Sequence, residues 1–93
     1  ILLNPETREV FLEQQPVNLT PNEFGLLEVM MKRPGRVLSR DELLDMVQGY
    51  NYAGYDRTID NHIKNLHKKL QTFGFEAAIS SVYGVGYRFQ IPN

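Results

Sequence analysis

The chain has 93 residues, no cysteine and no tryptophan, with 42% hydrophobic and 23% charged residues and a formal net charge of −1. This length suits one domain with one modest core and leaves no room for a catalytic domain beside a deep cleft; the missing cysteines exclude disulfides and thiolate chemistry while permitting a reducing cytoplasm, and no apolar run approaches the ~18 residues of a membrane span. A pI near 6.1 argues against a uniformly basic nucleic-acid binder, but the charge is polarised, with a net of −4 over residues 1–31 and +3 over residues 32–93, and a local basic face is enough for phosphate.

Ile1 leads straight into strand-like sequence with no signal peptide, the start expected of a domain cut from a longer cytoplasmic chain. Ile1 to Leu3, Arg8 to Glu13 and Val17 to Leu19 read as short strands. Asn4-Pro5-Glu6-Thr7 and Gln14-Gln15-Pro16 break them, which predicts a small antiparallel sheet over residues 1–19. Thr20-Pro21-Asn22-Glu23 is a helix start: Thr20 caps, Pro21 takes the first position where its missing N–H costs nothing, and Glu23 closes a capping box. Phe24, Leu27, Met30 and Met31 give this helix a buried face, and Pro34-Gly35 ends it. Arg36-Val37-Leu38 reads as a short extended link, and Ser39-Arg40-Asp41-Glu42 as a second capping box opening a helix through Val47, with Leu43, Met46 and Val47 facing the core.

The segment from Gln48 to Tyr55 is rich in glycine and tyrosine and too long for a simple helix-turn-helix turn; its tyrosines suit either a contact surface or a lid on the core. From Asp56, a candidate N-cap, to Thr72 the periodicity predicts a third helix. At about 100° per residue Ile59, Ile63, Leu66 and Leu70 form one apolar seam, while Arg57, Asn61, Lys64 and Lys68, flanked by Asn65, stand opposite. Cations alternating with amides suit a DNA major groove, although a solvated helix face shows the same pattern. Ala78 to Tyr83 and Tyr87 to Ile91 read as a hairpin whose turn is eased by Gly84 and Gly86, and no helix follows to make that G-x-G a dinucleotide site.

Chemistry other than binding finds little support. His62 and His67 are five apart, the wrong spacing for ligands on one helical face, so neither a metal nor a cofactor is expected. Asp60, His62 and Ser39 could be imagined as an acid, base and nucleophile, but nothing holds them together, and no enzyme is expected. His62 lies close enough to the seam to favour packing over DNA contact. Lys68, on the far face, suits phosphate better than Lys69, which lies well round the helix.

The order sheet, helix, helix, loop, helix, hairpin predicts an α+β winged helix-turn-helix with an N-terminal antiparallel sheet (1–19), a three-helix core (20–72) and a C-terminal wing (78–91). The pieces LTPNEF, PGRVLSRDEL, DRTIDNHI and GVGYRF, running from Leu19 to Phe89, resemble the C-terminal DNA-binding domain of OmpR/PhoB-family response regulators. DRTIDNHIKNL with SVYGVGYRF resembles the BaeR-like branch in particular. The resemblance implies a recognition helix from Asp56, with Arg57, Thr58, Lys64, Asn65 and Lys68 contacting DNA and Ser81, Tyr83 and Tyr87 contacting it at the wing; Asn61 joins the candidate DNA-binding residues by its place on the polar face of the helical period. It implies that Gly49, Tyr50, Asn51, Tyr52, Ala53, Gly54 and Tyr55 form a loop facing RNA polymerase. It further implies head-to-tail dimers on direct repeats of double-stranded DNA, controlled by a receiver domain and its sensor histidine kinase outside this sequence.

Departures from the family pattern shape the expected target. Gln48 stands where Trp is usual, Asn65 and His67 where Arg is common, and Tyr83 where the wing often carries a minor-groove Arg. Asn pairs with the adenine edge where Arg favours guanine, so the target should depend less on guanine. Two rivals are a winged-helix protein-interaction module, which the low pI, Gln48 and Tyr83 favour, and the same DNA-binding domain fused to a membrane-anchored sensor. The retained Arg57, Lys64 and Lys68 speak against the first, because a protein-binding helix more often exposes apolar anchors.

Overall fold

The computed structural model describes residues 1–47, 59–75 and 77–90. In chain order it contains β1 (Leu2–Asn4), β2 (Glu9–Leu12), β3 (Gln15–Val17), α1 (Pro21–Met31), β4 (Val37–Leu38), α2 (Arg40–Val47), α3 (Ile59–Thr72), β5 (Ile79–Val82) and β6 (Gly86–Phe89). The strands form two antiparallel three-stranded sheets, β1-β2-β3 before the helices and β4-β6-β5, whose β4 lies between α1 and α2 and whose β5 and β6 follow α3. This is the expected α+β winged helix. The candidate helix start at Asp56 lies outside the described residues.

The N-terminal sheet turns on local side-chain chemistry. Asn4 Oδ1 accepts from the backbone N–H of Glu6 (2.9 Å) and Thr7 (3.3 Å), and Arg8 closes the turn in the left-handed region at φ 64°. Between β2 and β3 the turn is only Glu13-Gln14, both at positive φ (49° and 70°), with Leu12 directly paired to Gln15. That is the geometry of a two-residue primed turn, normally announced by Asn-Gly or Asp-Gly. The expected break at Gln14-Gln15-Pro16 is therefore shorter, and Gln15 and Pro16 belong to the strand. Proline is tolerated there because β3 pairs with β2 alone and is an edge.

Both capping boxes form. Thr20 Oγ1 accepts from the Glu23 N–H while Glu23 Oε1 accepts from the Thr20 N–H, and Ser39 and Glu42 do the same for α2. The broad buried face expected for α1 holds at Phe24, Leu27 and Met30, but burial goes further, over every residue from Glu23 to Met30, while Met31 is only partly buried. The physical reason is position: α1 packs against α3, α2 and β6, and Arg8 from the N-terminal sheet lays its guanidinium 4.1 Å from the centre of the Phe24 ring. Val10 and Leu12 of the same sheet join α1, Leu43, Val47, the seam of α3, Ile79 and Phe89 in one core.

Glu23 has a further role. Its side chain is only 3% exposed and meets Lys69 Nζ at 2.6 Å, so the cap of α1 is also tied to the last turns of α3. The residues 36–38 link is not free either: β4 pairs in register with β6, Val37 opposite Arg88 and Leu38 opposite Tyr87, which makes the wing sheet three-stranded. The wing turn is Tyr83-Gly84-Val85, with Val85 N–H bonded to Val82 O at 3.0 Å and Gly84 at φ 74°, as the third position of a type II turn requires. Tyr83 thus sits on the turn rather than in the strand, and Ile91 lies outside the described residues. The two glycines expected to shape that turn divide the work: only Gly84 turns the chain, while Gly86 lies in β6 with its α-carbon against β4.

Candidate nucleic-acid interface

Helix α3 separates its two tasks cleanly. Ile59, Ile63, Leu66 and Leu70 are buried, as the periodicity requires, and Asn61, Lys64, Asn65 and Lys68 are exposed. Lys69 is drawn off by Glu23 and leaves the outward face. His62 is half-buried with Nε2 3.1 Å from Asn22 Nδ2, so it ties α3 to the start of α1. On the wing Ser81 is exposed, Tyr83 is fully exposed at the turn and Tyr87 is partly buried. Arg57, Thr58, Gln48 and the Gly49 to Tyr55 loop lie outside the described residues.

Helix and wing meet along a cleft of about 270 Å³ whose walls include Lys64, His67, Ser81 and Tyr87 over a floor of Ile63 and Ile79. Of the candidate site residues, Lys64, Ser81 and Tyr87 are thereby brought together, Asn61, Asn65 and Lys68 extend the helix face, and Tyr83 stands apart at the wing tip. At the edge of this cleft Asp60 accepts from Arg40 Nε with both oxygens, at 2.8 and 3.0 Å, and from the Tyr87 hydroxyl. Three elements, α2, α3 and β6, therefore share one carboxylate. The Tyr87 hydroxyl, expected at DNA, is engaged inside the domain.

Those bonds set the titration of the group. The hydrogen bond from Arg40, then that from Tyr87, holds the Asp60 carboxyl below the ordinary aspartate value. Burial first, and then the bond to Asp60, pushes the Tyr87 phenol up. The Ser39 backbone N–H, followed by attraction to Arg36, lowers Glu42. Because both carboxyls are depressed in the folded state, their stabilisation is complete above the unfolded carboxylate range near ~4 and fades as pH falls through the lower folded values. Urea unfolding at neutral pH and at about pH 3 should show a larger acid loss for the wild type than for Asp60→Asn/Glu42→Gln. Equal losses would mean that other carboxylates carry the acid sensitivity.

Ser39 caps α2, Asp60 holds Arg40 and Tyr87, and His62 meets Asn22, so the imagined triad is dispersed over three separate contacts. Among the described residues no cluster of three or more His, Cys, Asp or Glu could hold a metal ion, and no helix is long and apolar enough to cross a membrane.

Residues 14–89 match the family model described as "Transcriptional regulatory protein, C terminal". The chain belongs to that family. It is an OmpR/PhoB-type response-regulator output domain, a DNA-binding domain of transcription regulation and not an enzyme. The uncharacterized transcriptional regulatory protein YclJ of Bacillus subtilis (strain 168) is 48% identical over 88 residues, covering 94% of the chain and 38% of YclJ. The phosphate regulon transcriptional regulatory protein PhoB of Shigella flexneri is 42% identical over 87 residues, with 94% and 38% covered. The chain thus spans 38% of the length of these relatives. Among solved structures, the response regulator AdeR DNA-binding domain in complex with an intercistronic region superposes with a TM-score of 0.84 at 32% identity, covering 98% of this chain and 94% of that one. The Klebsiella pneumoniae RstA DNA-binding domain in complex with the RstA box gives 0.76 at 33%, covering 95% and 88%.

For an OmpR/PhoB-type domain, what the sequence did not announce is the contact between Arg40 and Asp60. Arg40 sits twenty positions from Asp60 and on another helix, so no period or spacing joins them; the only local signal was an aspartate on the otherwise cationic side of α3.

Proposed function

We propose that this domain binds double-stranded DNA by placing α3 in the major groove and the β5–β6 wing at the adjacent minor groove. The observation that carries the reading is the outward face of α3, where Asn61, Lys64, Asn65 and Lys68 stand exposed while the seam is buried and Lys64 lines the cleft against the wing. Lysines there are suited to phosphate and set affinity and register; the asparagines suit base edges and choose sequence. By the sequence pattern and the family resemblance alone Arg57 and Thr58 are assigned to the same DNA-contacting set, and Ser81 and Tyr83 serve the wing. The whole regulator is cytoplasmic, carries a receiver domain phosphorylated by a sensor histidine kinase, binds direct repeats as a head-to-tail dimer, and meets RNA polymerase through the Gly49 to Tyr55 loop. The relatives' greater length leaves room for that receiver.

Selection from a pool of random duplexes, repeated at several salt concentrations, tests the reading. A motif repeated at about one helical turn, with log affinity falling steeply against log salt, is the expected result. Negligible binding at low salt would favour a protein-interaction module instead. On the selected site Asn65→Ala should relax preference at one base pair at a cost of roughly 1–3 kcal/mol. Lys68→Ala should weaken all sequences alike and flatten the salt slope by about one. A uniform loss from Asn65→Ala on matched and mismatched sites would remove Asn65 from base reading.

A further inference from the structure

A carboxylate in the first turn of a DNA-reading helix would by itself repel phosphate, yet Asp60 occupies that place with its side chain 50% exposed. Its two donors explain why it can. Arg40, the first residue of α2, spends only Nε on the carboxylate, which leaves the terminal nitrogens of the guanidinium outside that pair. The guanidinium lies 6.0 Å from the centre of the Tyr87 ring and its side chain is 58% exposed. It also walls a second cleft, of about 350 Å³, against the wing turn, and this cleft shares Ser81 and Tyr87 with the one beside α3. A cation oriented from behind, with donors left over, and standing at the open gap between helix and wing, is suited to a phosphodiester rather than to a base edge.

We propose that Arg40 is a further DNA-backbone contact, and that Asp60 is the positioning residue that sets its guanidinium between the recognition helix and the wing. This rests on the DNA-binding reading above. The arrangement makes the acidic side chain an aid to binding, because one negative charge is used to aim a cation that would otherwise sample many rotamers.

The test compares wild type, Arg40→Ala, Arg40→Lys and Asp60→Asn on mixed-sequence duplex DNA and on a selected site, with affinity measured against salt and thermal melts recorded for each protein. Arg40→Ala should weaken matched and mismatched duplexes alike and lower the salt slope by about one. Arg40→Lys should restore the slope but not the full affinity. Asp60→Asn decides the positioning role, since it makes the domain less negative: simple charge predicts tighter binding, whereas loss of aim predicts weaker binding. An unchanged slope in a folded Arg40→Ala, or tighter binding by a folded Asp60→Asn, overturns the proposal while leaving the DNA reading intact. Absence of binding by the wild type overturns both.

Discussion

Gly86→Ala should be among the most damaging single substitutions in this domain, at about 3 kcal/mol or more. A Cβ built on Gly86 falls 1.9 Å from Leu38 O, 2.7 Å from Leu38 C and 2.8 Å from Ser39 Cα, all backbone atoms that cannot turn aside. Relief requires β4 to part from β6, and β4 holds only two paired residues. Separation would also move Ser39 from its capping position on α2 and so disturb the mount of Arg40. Gly84→Ala is the useful comparison: no atom lies within 4 Å of its Cβ, and only its φ of 74° resists the change. Urea unfolding should therefore give a midpoint far lower for Gly86→Ala than for Gly84→Ala. Similar midpoints would show that β4 yields easily.

Lys69→Ala should cost about 3 kcal/mol, because truncating one member of a buried pair strands the other. Glu23 is 2% exposed and cannot follow its partner into water, whereas Lys69, with its side chain 36% exposed, can. The loss should be asymmetric for the same reason. Glu23→Gln in the Lys69→Ala background should recover stability, since a neutral amide can still accept from the Thr20 N–H without a buried charge. Thermal denaturation of the two single variants and the double variant measures this, and a double variant less stable than Lys69→Ala would sink the account. DNA affinity of any folded Lys69 variant should change little, because the ammonium is occupied by α1.

The parts of this fold that could be read from the chain are those written locally. The seam of Ile59, Ile63, Leu66 and Leu70 follows from a period, and the two capping boxes follow from side chains reaching three residues along. What escaped is written across space. β4 owes its existence to pairing with β6, not to the propensity of two residues. The Glu13-Gln14 turn takes positive φ without glycine or asparagine, so its sequence carries no turn signal and β3 seemed to begin too late. Gly86 looked like a turn residue because its true constraint, the Leu38 carbonyl, lies almost fifty positions away. Likewise the amphipathic pattern exposed the outward face of α3, but not the Arg40, Asp60 and Tyr87 junction that joins that face to the wing.

The division of α3 into an inner seam and an outward face with no residues in common has a consequence for descent. On the DNA-reading role proposed above, a regulator would acquire a new target by changing residues such as Asn61 or Asn65, both of which are exposed. Since most substitutions destabilise and small domains stand only a little above the stability they need, a reading surface free of packing duties can drift without spending that reserve. Duplicated copies of such a domain can diverge in the operators they read long before they diverge in shape.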